Sequence, residues 1–78
     1  MLKWIVKFFD GVNEIYRVCY AGFFSGFTVV DGMDDGELVD CNILYQGYDR
    51  EKVVSLMEDT GNVTQAVIDM IRAFPVNK

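Results

Sequence analysis

The residues that could do chemistry are few, and the sequence contains no histidine. That removes Ser-His-Asp and Cys-His nucleophilic pairs. Two serines and three threonines are present, none beside an activating signature. Cys19 and Cys41 form no CxxC motif, so a zinc site would have to be completed by carboxylates. No metal or other cofactor is expected. The two cysteines read as buried free thiols, with one disulfide as the alternative if they lie on adjacent strands. Ala21-Gly22-Phe23-Phe24-Ser25-Gly26 has two glycines but neither GxGxxG spacing nor a following Lys-Ser/Thr, so it is no phosphate loop. These absences point away from catalysis.

What remains is charge and aromatic surface. The formal net charge is −5, from 12 acids and 7 bases. Between Arg17 and Arg50 there is no base, and five acids fall within ten residues: Asp31, Asp34, Asp35, Glu37 and Asp40. Gathered at one end of a sheet, they would attract a basic protein surface or stand in for nucleic-acid phosphates. The same charge argues against direct binding to a phosphate backbone. An EF-hand reading of this run fails at two ligand positions, occupied by Met33 and Asn42. The plainer reading is a solvated turn. Phe23 and Phe24 are the second candidate group. Two large aromatics in a glycine-flanked turn either fold back onto the core or stand out as anchors for a partner.

The elements that must position these groups follow from periodicity. Val63, Ala66, Val67, Met70, Ile71 and Phe74 fall on one face of a helix running from Asn62 to Pro75. Asn62 is expected to cap it, with Gln65 reaching back, and Pro75 to end it. A shorter helix is expected from Arg50 to about Thr60. Asp49 is its cap, Val53, Val54, Leu56 and Met57 are its apolar face, and Gly61 follows as the left-handed residue. Ahead of the helices, Leu2 to Phe9 alternates as a strand, with Leu2, Trp4, Val6 and Phe8 on one side. Asp10-Gly11 then reads as a two-residue hairpin turn. That turn would pair Phe9 with Val12, Lys7 with Glu14, Ile5 with Tyr16 and Trp4 with Arg17, the last a cation–π contact. Val12 to Phe23 also shows helical spacing, but its Val, Ile, Tyr and Cys content favours a strand. Phe27 to Val30 and Leu38 to Tyr45 complete the set. A tight Asp35-Gly36 hairpin between them would set Asp31 opposite Asp40.

The expected fold is therefore α+β: a four-stranded antiparallel meander followed by two helices packed on one face of the sheet, in a single domain spanning residues 1–78. The composition is 51% hydrophobic and 14% aromatic. A chain this short cannot bury all of that, so some apolar surface is left for a protein partner or for a second copy in a homodimer. The N-terminus shows no secretory pattern and no uncharged run is long enough to span a bilayer, so a cytoplasmic location without membrane contact is expected. In its general character, short, acidic, aromatic-rich and without catalytic groups, the chain resembles the small accessory proteins that phages use to block host enzymes. That resemblance implies a non-catalytic inhibitor acting inside a host cell, and it assigns no role to any residue. A structural or assembly protein working as a homo-oligomer is the alternative.

Overall fold

The computed structural model describes residues 1–32 and 42–77. Four strands, β1 (Leu2–Asp10), β2 (Asn13–Gly22), β3 (Gly26–Gly32) and β4 (Asn42–Gly47), form one antiparallel sheet in the order β1-β2-β3-β4. Two helices follow, α1 (Arg50–Glu58) and α2 (Gln65–Ala73). The architecture is the α+β meander with two helices that the pattern predicts, and the segment with competing periods is a strand.

Alternation sets the faces. Val6, Cys19, Ala21, Phe27 and Val29 point to the helices and are buried against Val53, Val54, Met57, Ile68 and Ile71. Each large apolar side chain so buried contributes roughly 1.5–3 kcal/mol. Trp4 closes one end of this core, meeting Phe74 edge-on with ring centroids 6.2 Å apart. The β3–β4 register shifts between Val29 and Val30. A shift of this kind inserts one unopposed residue, Leu44, and both Leu44 and Tyr45 pack against the core.

Several local expectations are corrected. The first hairpin turns on Gly11-Val12, not Asp10-Gly11: Asp10 pairs with Asn13, Lys7 with Tyr16, Ile5 with Val18 and Trp4 with Cys19. Gly11 takes the left-handed φ of 63° at the first loop position, where hairpin turns of the primed types demand it. Lys7 and Glu14 still meet, diagonally, with 3.7 Å between charged atoms. Helix α2 is capped by Thr64, whose hydroxyl accepts the Val67 N–H at 3.3 Å, and not by Asn62. Asn62 instead donates its side-chain amide to the Lys7 carbonyl on strand β1, at 2.8 Å, and Gln65 donates to Asp69. With the helix starting at Gln65, its buried face centres on Ile68 and Ile71, while Ala66 is exposed and Met70 is 47% exposed. Asp49 caps α1 as expected, accepting from the Lys52 N–H. That helix ends at Glu58, and Gly61 adopts φ 71° just beyond it. Phe74 is extended ahead of Pro75, as a residue preceding proline must be.

One polar group sits where the sheet meets the helices. Arg17 lies on the helix-facing side of β2, opposite Asp31 on β3. Its Nε and Nη2 donate to the two Asp31 carboxylate oxygens at 2.7 and 2.8 Å, and its Nη1 donates to the Leu56 carbonyl of α1 at 2.7 Å. The Phe8 ring lies beneath the guanidinium at 5.0 Å, so the cation–π partner is Phe8 and not Trp4. The Asp31 hydrogen bond raises the already high pKa of Arg17 by more than burial lowers it. Only 12% of the Arg17 side chain and 22% of the Asp31 side chain remain exposed. Replacing Asp31 with Asn should therefore cost about 2–4 kcal/mol in urea denaturation, because a largely dehydrated guanidinium loses its counter-ion. Replacing Arg17 with Met and Asp31 with Val together should recover most of the loss. A single-variant loss below about 1 kcal/mol would mean that solvent already screens the pair.

Candidate functional site

Of the two candidate groups, the structure describes Phe23, Phe24 and Asp31. Of the five acidic residues, Asp34, Asp35, Glu37 and Asp40 lie outside the described residues, as does Cys41. Asp31 is described, and its carboxylate is taken up by Arg17 on the helix-facing side. It lies opposite Asn42, not Asp40. Cys19 is a free, buried thiol whose pKa burial pushes up to about 12, which suits packing and not nucleophilic attack. Among the described residues no three His, Cys, Asp or Glu side chains gather into a metal-holding group. Also among them, no helix is long and apolar enough to cross a membrane.

Phe23 and Phe24 occupy the tip of the β2–β3 hairpin, between the paired Gly22 and Gly26. They are 46% and 73% exposed and neither joins the core. The two rings pack edge-on to each other with centroids 4.8 Å apart. Their backbone is held from two directions. The Phe23 carbonyl accepts the Asn77 N–H at 2.7 Å, and the Phe24 carbonyl accepts the Tyr48 hydroxyl at 2.6 Å. Tyr45, in turn, accepts the Asp49 N–H on its hydroxyl, fixing the chain between β4 and α1 that carries Tyr48. Gly26 makes the tip possible. Its φ is 76°, and a Cβ there would stand 2.6 Å from the Gly47 carbonyl oxygen and 2.9 Å from the Tyr48 ring.

A second feature was not singled out from the sequence. The sheet face away from the helices carries a row of aliphatic residues paired across all four strands, Ile5–Val18–Val30–Ile43. Beside it lies a trough of about 350 Å³ lined by Tyr20, Gly26, Thr28, Val30, Ile43 and Gln46, with Met1 at its margin. The available signal was β1 itself, where Ile5 and Phe9 put apolar side chains on the face opposite Trp4 and Val6.

Gly26→Ala should destabilise the fold by more than Gly11→Ala. Both impose a left-handed φ on a residue with a Cβ, worth about 1–2 kcal/mol. At Gly11 nothing lies within 4 Å of the added carbon, whereas at Gly26 the backbone of β4 must also move. Equal losses in thermal melts of the two variants would show that the turn yields without disturbing β4.

The chain matches no protein-family model, no curated protein and no solved structure.

Proposed function

We propose that this chain is a small non-catalytic protein-binding module that docks on a basic surface of a larger partner, in the manner of an accessory inhibitor inside a host cell. The observation that carries the reading is the Phe23–Phe24 tip. Large aromatics are costly to leave in water, and two of them stand exposed on a turn whose backbone is bonded on both sides. A rigid aromatic pair loses little conformational freedom when it enters a partner's pocket, which is why such residues dominate binding energy.

The net charge of −5 supplies the complementary part of the reading. Asp34, Asp35, Glu37 and Asp40 contribute four of the negative charges and have no base near them in sequence. They would steer the approach to a basic surface, while the aromatic tip would set the lifetime of the complex. Asp31 belongs less to this field, since Arg17 neutralises it.

Replacing Phe23 and Phe24 together with Ser should leave the melting temperature within a few degrees of the parent and abolish capture of the partner from host extract. A large loss of stability would place the rings in the core and reject the anchor role. Replacing Asp34, Asp35 and Glu37 with Asn, Asn and Gln should slow association with the captured partner and change dissociation little. Raising salt should have the same effect, since exposed charges are screened over about 8–10 Å at physiological ionic strength. Association indifferent to both would reduce the acidic run to a solubilising turn.

A further inference from the structure

We infer that the sheet face opposite the helices packs against the same face of a second copy, about a two-fold axis parallel to the strands between β2 and β3. The inference rests on how the cross-strand rows read. Directly opposed residues share one face of a sheet. The row Ile5–Val18–Val30–Ile43 therefore runs across all four strands as Ile-Val-Val-Ile, the same from either edge. A two-fold axis along the strands lays that row on its own copy and brings the exposed Ile5 over the exposed Ile43. Val18 and Val30 form the buried floor, while Ile5 and Ile43 project at 40% and 61% exposure. Ile43 borders the trough, so the axis brings Ile5 of one copy to the trough of the other, twice.

The next row supports the same axis. Lys3–Tyr20–Thr28–Gln46 is also continuous across the sheet. The axis sets Lys3 over Gln46 and the Tyr20 hydroxyl over the Thr28 hydroxyl, groups able to bond to each other. Charge disfavours the other two-fold arrangement. An axis running along the row would stack β1 on β1 in reverse, and Lys3 of one copy would face Lys7 of the other. Edge-to-edge pairing through β1 is blocked as well, because Asn62 already occupies the Lys7 carbonyl and two lysines guard the strand.

The size of the face sets the strength. Four strands about 4.8 Å apart and about seven residues of about 3.3 Å rise give roughly 450 Å² per copy, or roughly 900 Å² for both. Stable dimers bury about 1,200–2,000 Å². The contact belongs to the weak class. Its apolar layer would turn each two-layer copy into half of a helix–sheet–sheet–helix sandwich.

Sedimentation equilibrium between about 10 µM and about 1 mM tests this. The parent chain should move from 8.9 kDa towards twice that mass. Ile5→Lys and Ile43→Glu should each weaken self-association at least tenfold while leaving the melting temperature within a few degrees, both positions being exposed. Their combination should restore self-association to within about threefold of the parent, since the axis sets each new ammonium over a new carboxylate. The milder Ile5→Thr and Ile43→Thr should weaken it in the same direction and serve if a charged variant loses its fold. Replacing Phe23 and Phe24 with Ser should change self-association less than twofold, which keeps this result separate from the partner-binding reading. A chain that stays monomeric at about 1 mM overturns the inference and leaves the face to a different partner. Dimerisation indifferent to either isoleucine, or a combined variant no better than the single ones, overturns it too.

Discussion

The guanidinium of Arg17 is the group on which the two layers depend. It is the point where β2, β3 and α1 meet, through the Asp31 carboxylate on one side and the Leu56 carbonyl on the other. A buried ion pair is not by itself a large source of stability, because dehydration offsets most of the attraction. Here, all three hydrogen-bonding nitrogens of the fork are used, and the Phe8 ring takes one face. What the arrangement contributes is position. The third bond fixes how far along β2 the helix can sit, and an apolar contact in the same place would allow it to slide. Arg50 makes a second, smaller tie of this kind, donating to the Ile71 carbonyl near the end of α2 and lying over Phe27. A cation at that end also suits the helix dipole.

Much of this architecture can be read from residue order, and the misses have specific causes. The strand faces are legible because alternation has a period of two and a slip of one residue on both strands keeps every side chain on its own side. The hairpin register is not legible for that same reason: Asp10-Gly11 and Gly11-Val12 turns give identical faces and differ only in which residues oppose. The apolar spacing of α2 places Ala66 and Met70 on the buried face and passes over Ile68. Val63, Val67, Ile71 and Phe74 do pack against the core, but Ala66 and Met70 are exposed and the buried face is rotated towards Ile68. The Arg17–Asp31 pair spans 14 residues and depends on register, so it was not visible as a pair. Half of it was: Arg17 shares its face with Cys19 and Ala21, and an arginine on a core face requires a carboxylate.

The candidate surfaces were less legible than the fold. Composition indicates surplus apolar surface but not where it lies. The exposure of Phe23 and Phe24 depends on Tyr48 and Asn77, which hold the turn from distant parts of the chain. The aliphatic row exists only once four strands are in register. The aromatic tip and the open face are also physically different surfaces. The tip is small, rigid and suited to entering a pocket, whereas the open face is broad and shallow and suited to meeting another flat surface. On the second sheet face Val18 and Val30 are already buried, and the apolar surface left exposed among the row is that of Ile5 and Ile43.

The placement of Arg17 also sets an order of events in folding. All three strand pairings join neighbours in sequence, so the meander can assemble hairpin by hairpin. Arg17 and Asp31 face each other as soon as β2 and β3 pair, while both are still hydrated. The bond to Leu56 reaches 39 residues along the chain and forms only when α1 docks. Water is therefore stripped from the ion pair late, at docking, and not during sheet formation. A substitution at Arg17 or Asp31 would then act mainly through the unfolding arm of a chevron plot, and the fold's lifetime would be governed by that arm.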